Sequence, residues 1–333
     1  MAVGMDQARR ADAGPAPFAD VGPALATGPA PAGAAPDRDA LGQAAAENFT
    51  VAGRWLPGRL RRDLLALYVF ARSVDDLGDE GDRPVADRLA ALAGVDADLD
   101  RLFGGGRPEL PFVSGLAQTV AAHHLPREPF ADLVAANRQD QHVRSHATWE
   151  DLRAYCRLSA DPVGRLVLGV VGAVTADRVA ASDRICSALQ VVEHLQDVGE
   201  DARAGRVYLP ADDMDRFGVA PADLTAPVCR RELRALLAFE GARARDLLES
   251  GSILVATLSG AARLAVAGFV AGGLATLDAL GAASWEVLAE PVRPGRLRTA
   301  VLTAGVLARG SALPRPPRPA ASRPSGGSPV GTP

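Results

Sequence analysis
From about residue 41 to 310, apolar side chains recur at three- and four-residue steps, and alternating strand-like stretches hardly occur. Leu60, Leu64, Leu67 and Val74 form one such row, the spacing that places side chains on one face of a 3.6-residue helix. With Pro or Gly near most joints, the pattern predicts helices at about 59–79, 84–103, 112–124, 127–145, 148–159, 162–175, 178–205, 230–250, 252–280 and 293–308. No repeat of fixed period is present. The expectation is one all-α domain, a many-helix bundle rather than a solenoid.

Hydrophobic residues make up 48% of the 333, enough for a large core. Residues 1–40 and 311–333 are Pro-, Ala-, Ser- and Gly-rich and cannot bury enough apolar surface to offset chain ordering, so they read as a leader and a tail around a folded body at 41–310. The leader has no signal-peptide progression. Every basic residue is arginine, scattered along the chain, and the net charge is −4, so there is no basic stripe to follow a phosphate backbone; nucleic acid is not an expected partner. Cys156, Cys186 and Cys229 lack disulfide-framework or zinc spacing and fit a reducing cytoplasm. The charge-free run "LAVAGFVAGGLATL" (264–277) is short of the roughly 20 residues of a span. It reads as a buried helix in which Gly268, Gly272 and Gly273 admit close neighbours, with peripheral contact to a bilayer left open.

Charge concentrates in two places. "LYVFARSVDDLGDEGDRP" carries five acidic residues within eight positions after an apolar helical stretch. "EHLQDVGEDARAGRVYLP" repeats the arrangement after "CSALQVV". Each holds a D-x-x-x-D pair, Asp75 with Asp79 and Asp197 with Asp201, which a helix turns toward one side within about 40°. A solvated acidic face with Arg203 and Arg206 as partners is the simpler explanation of either cluster alone. Two such pairs at the ends of buried helices suit Mg²⁺ instead, a hard cation that bridges carboxylates to substrate phosphates, with Arg72 and Arg206 placed to meet phosphate oxygens.

These motifs resemble the squalene/phytoene synthase family, the head-to-head branch of the class I isoprenoid synthases. The segments "ENFTVAGRWLP", "NRQDQ", "TWEDLRAYCRLSADPVGRLVL" and "VAGGLATLDAL" are most similar to its hydroxysqualene-forming members of hopanoid biosynthesis. The resemblance covers nearly all of 45–300. It implies that Asp75, Asp79, Asp197 and Asp201 hold Mg²⁺ against a diphosphate, that Tyr68, Arg72, Gln190, Arg206 and Tyr208 contact the diphosphate or shape its pocket, and that Asn48, Phe49 and Thr50 form an entry motif. It further implies presqualene diphosphate as substrate, ionised and captured by water without a reductant. Rival readings are a synthase condensing two prenyl diphosphates, as in phytoene formation, and a non-catalytic helical scaffold. The chain departs from the family pattern at Glu193, where many relatives have Asn, at Ser145-His146, where Arg-Tyr is common, and at Pro162, expected to bend a helix and line a cavity. His142 and His146 have the i,i+4 spacing of a zinc helix but lack its glutamate, and Gly104, Gly105 and Gly106 lack dinucleotide-loop spacing.

Overall fold
A computed structural model describes residues 57–79 and 83–312. Asn48, Phe49, Thr50, Glu80, the leader and the tail beyond 312 lie outside them. The helices are α1 (Gly58–Asp79), α2 (Val85–Phe103), α3 (Pro111–Ser114), α4 (Ala117–His123), α5 (Glu128–Gln139), α6 (Trp149–Ser159), α7 (Asp161–Val170), α8 (Ala176–Gln196), α9 (Val198–Arg203), α10 (Ala211–Phe217), α11 (Arg231–Gly251), α12 (Ile253–Thr257), α13 (Gly260–Ala282) and α14 (Arg296–Ala312). A 3₁₀ turn covers Pro221–Thr225. No strand forms among the described residues; one isolated parallel bridge joins Ser145 to Val207.

Local chemistry sets the helix ends. Thr148 and Asp151 cap α6 reciprocally, and the Thr175 hydroxyl accepts from the Arg178 amide at the start of α8. Gly218 closes α10 at φ 69°, a conformation a Cβ would strain. Pro162 does not kink a helix interior as expected. Ala160 breaks the chain between α6 and α7, leaving Pro162 in the first turn of α7, where its missing N–H costs nothing. Other expected helices divide too: 112–124 into α3 and α4, 178–205 at Asp197, and 252–280 at Leu258. α5 stops at Gln139, so His142 and His146 share no helix, and α10 and the 3₁₀ turn were not foreseen.

Two apolar cores build the body. One gathers α1, α2, α5 and α7 around Phe70 and Phe130, both fully buried, whose rings meet edge to face with centroids 5.2 Å apart. Truncating either to Ala would cost about 3–5 kcal/mol. The other centres on α8 and α11, the most extensively packed pair, with α6 and α13 against them. α13 is long and apolar enough to cross a membrane by composition, yet Ala267, Val270, Leu274, Leu277 and Leu280 on it are buried in this second core. Gly273 faces Leu189 and Leu248 with no room for a side chain, whereas Gly272 faces open space, so only the former serves close packing as expected. α14 ends at Ala312, past the expected limit of 310.

Candidate active site
The last turns of α1 carry Asp75, Asp76 and Asp79. Asp75 accepts a hydrogen bond from Asn137 Nδ2 on α5 at 2.9 Å. That approach requires Gly78, because a Cβ there would collide with Asn137 Oδ1. Gln141 Nε2 donates to the carbonyls of Gly78 and Asn137, 3.0 Å each, and so ties the "NRQDQ" segment to the end of α1. Arg72 pairs with Asp76 at 2.8 Å, and Tyr68 lies half-buried two turns before Asp75.

The second cluster is not one continuous helix. Asp197 stands at the break between α8 and α9 (φ −100°, ψ 11°), but its carbonyl still accepts from the Asp201 amide at 2.8 Å, so both carboxylates stay one turn apart. Glu193 sits a turn earlier on α8. Its carboxyl is pushed up to about 7, by burial first and then by Asp197, Asp75 and Asp201. Asp75 on α1 thus acts on Glu193 of α8, and Arg206, which follows α9, reaches Asp79 on α1, so the two acidic segments lie near one another. Asp197 is likewise raised to about 7 by burial, Asp201 and Glu200. Asp75 keeps accessible surface, yet the surrounding protein crowds out its hydration and raises it to about 7, with Asp79 adding to the effect against the Asn137 hydrogen bond.

Arg206 spans the hollow between the two acidic clusters. Its Nη1 donates to Asp79 Oδ1 at 2.7 Å, so it serves the first cluster rather than the second as the simpler reading had it. The reason is tertiary: the Ser145–Val207 bridge, with Val207 N donating to Arg144 O at 2.8 Å, holds the segment after α9 beneath the end of α1. Burial opposes the Arg206 charge, but Asp79, Tyr208 and Asp201 outweigh it and hold the guanidinium protonated.

The same bridge assembles a polar aromatic wall. His194 stacks on Tyr208 with centroids 3.7 Å apart, His146 lies on Tyr208 at 5.8 Å, and Tyr155 approaches Tyr208 at 5.5 Å. Tyr155 Oη donates to Asp140 Oδ2 at 2.8 Å; Asp140 is raised to about 6, mainly by burial. Gln190 Nε2 reaches His194 Nε2 at 3.3 Å, and His194 Nδ1 stands 3.6 Å from Asp201. Burial lowers both imidazoles' pKa, His146 further by His194, and raises both phenols, so the wall is uncharged near neutrality. Asn137, Asp140 and His194 were not singled out from the sequence. The i, i+3, i+4 spacing of Asn137, Asp140 and Gln141 was the available signal for the first two; nothing local marked His194.

Among the described residues Glu193 and Asp197 take part in no side-chain hydrogen bond or ion pair, an excess of negative charge that calls for a cation. No three His, Cys, Asp or Glu side chains there converge on a single coordination sphere. The unpartnered carboxylates are of the oxygen-donor type that Mg²⁺ takes.

An all-α bundle with facing carboxylate helices defines a class I isoprenoid synthase. The squalene/phytoene synthase model matches residues 43–304, and the chain belongs to that family, whose members are enzymes acting on prenyl diphosphates. It is similar to the hydroxysqualene synthase of Zymomonas mobilis, 35% identical over 62% of this chain and 69% of that one. It is also similar to the 15-cis-phytoene synthase of Synechococcus elongatus, 32% identical over 66% and 74%. Among solved structures, squalene synthase HpnC from Alicyclobacillus acidocaldarius superposes with a TM-score of 0.66 at 40% identity, covering 72% of this chain and 89% of that one.

Proposed function
We propose that the enzyme is a hydroxysqualene synthase, converting presqualene diphosphate and water into hydroxysqualene and diphosphate in the hopanoid branch of isoprenoid biosynthesis. The observation that carries this reading is the uncharged, hydrogen-bonding wall of His146, Tyr155, His194 and Tyr208 beside the acidic hollow. Identity to the relatives leans the same way, although a phytoene synthase is nearly as similar.

Asp75, Asp79, Asp197 and Asp201 would hold Mg²⁺, which when bound neutralises charge on the leaving diphosphate. Arg206, kept cationic and aimed at Asp79, and Arg72 beside Asp76 add positive charge on the same side. Tyr208 and Tyr155 are the phenol rings of this wall, and aromatic rings stabilise the carbocation left when the carbon–oxygen bond breaks. One water held at the polar edge of this wall bonds through its oxygen to the cation, and its proton leaves to diphosphate. A wall without polar groups would favour loss of a proton from the hydrocarbon instead.

The test supplies presqualene diphosphate and Mg²⁺ without nicotinamide, in ¹⁸O-water. The expected product is a labelled C30 alcohol with release of diphosphate. Squalene formed only with NADPH would refute the assignment. Phytoene or presqualene diphosphate made from simple prenyl diphosphates would establish the condensing alternative.

A further inference from the structure
Arg88 stands at the wrong end of its own helix. It lies near the start of α2, where the positive pole of a helix disfavours a cation, and among the described residues no carboxylate pairs with it. Its hydrogen bonds go to carbonyl oxygens instead. Nη1 donates to Gly78 O at 3.2 Å and to Gln141 Oε1 at 3.4 Å, and Nε donates to Arg83 O at 3.1 Å. Gly78 belongs to the last turn of α1, whose carbonyls have no partner within the helix, so the guanidinium caps the negative pole of α1. Gln141 is buried, and its amide donates to Gly78 O and Asn137 O at 3.0 Å each. Arg88 fixes that orientation. Turned over, the amide would set its oxygen against two carbonyl oxygens and its NH₂ against a guanidinium.

We infer that Arg88 is a positioning residue for the first acidic pair: it holds Gly78 and Gln141, Gln141 holds Asn137, and Asn137 holds the Asp75 carboxylate at 2.9 Å. Glycine at 78 admits Asn137 but gives this stretch of backbone no side chain to pack, so its placement depends on what holds its carbonyl. Two donors do so, Arg88 from α2 and Gln141 from the segment after α5. Resting on the role proposed above for Asp75 and Asp79, this sets Arg88 behind the diphosphate site, where it acts through α1 and Asn137. A displacement of roughly 1 Å in groups that meet the reacting centre can cost about 10² in rate, so a contact this remote carries a kinetic consequence.

Arg88→Gln in the full chain tests it, assayed well below the melting transition on whichever prenyl diphosphate the wild type turns over. At saturating Mg²⁺, kcat should fall about tenfold while KM stays within about threefold. Arg88→Lys, which keeps a cationic donor for Gly78 O, should return kcat to within about threefold of wild type. Because Arg88 and Gln141 share the Gly78 carbonyl, R88Q/Q141M should be no more than about twofold slower than the slower single variant. A readout independent of turnover is amide hydrogen exchange of the metal-free protein. Residues 75–79 should exchange at least about tenfold faster in R88Q, with α8 and α11 unchanged. A wild-type kcat in R88Q, unchanged exchange at 75–79, or losses that multiply in the double variant would overturn the proposal. A lower melting temperature with kcat retained in the folded fraction would reduce Arg88 to a structural role. If the product proves to be that of a condensing synthase, the reaction assigned above fails, but these ratios, each taken against wild type, still decide the role of Arg88.

Discussion

At Glu193 burial and three neighbouring carboxylates act on one group. Its carboxyl moves from an ordinary 4.5 to about 7 in the fold. The folded state therefore holds a proton that the unfolded chain has released, and stability falls as pH rises through that window. At pH 8 the ionised group is disfavoured by roughly 3 kcal/mol, at 1.36 kcal/mol per pH unit. Water entering the hollow and the remaining repulsion between Asp75 and Asp197 offset part of that relief. Glu193→Gln, which keeps the shape and removes the charge, should stabilise the metal-free protein by about 1–2 kcal/mol at pH 8, a rise in Tm of roughly 3–6 °C. At pH 5 wild-type Glu193 is already protonated and the gain should shrink toward zero. Thermal unfolding followed by circular dichroism in EDTA at the two pH values reads both quantities. A lower Tm at pH 8, or the same gain at pH 5, would mean that Glu193 does not share one field with Asp75 and Asp197. The kcat/KM of the variant should stay within about tenfold of wild type; a loss as deep as that of Asp197→Asn would make Glu193 a metal ligand.

Asp75→Asn and Asp197→Asn should each lower kcat by at least about 10² with no loss of Tm, and EDTA should abolish turnover; full activity in either variant or in EDTA would remove the metal assignment. Gly78→Ala should displace Asn137 from Asp75 and reduce kcat about tenfold while the helix content stays unchanged, so a wild-type rate would show that this hydrogen bond does not position Asp75. Gly241→Ala, by contrast, would drive a methyl into the Trp285 ring and should lower stability by about 1–3 kcal/mol with kcat preserved in the folded fraction, as denaturant unfolding would reveal. A chain cut to 41–312 should keep its circular dichroism and its activity in detergent; collapse of either would show that the tails belong to the folded body.

Helical periodicity alone determined that this chain is an all-α bundle, because the 3.6-residue spacing of Leu60, Leu64, Leu67 and Val74 is a property of neighbours along the chain. The same local logic marked Asp75 with Asp79 and Asp197 with Asp201, since residues four apart on a helix share a side whatever surrounds them. Where helices divide was less legible. The break at Asp197 leaves no Gly or Pro at that position to announce it, and Pro162 looks identical in sequence whether it bends a helix or begins one. What the fold decided was everything that depends on residues distant in the chain. Asn137 reaches Asp75 only because α5 packs beside α1 at Gly78, and Arg206 joins Asp79 across 127 positions of sequence. His146 and Tyr208 meet because the Ser145–Val207 bridge and the bonds from Ala211 and Asp212 amides to the His146 and Ala147 carbonyls tie the two segments together, and their titration follows from the burial that this closure produces. Periodicity is carried by each helix separately, whereas a shared electrostatic field and a common wall exist only once helices distant in the chain enclose the same space.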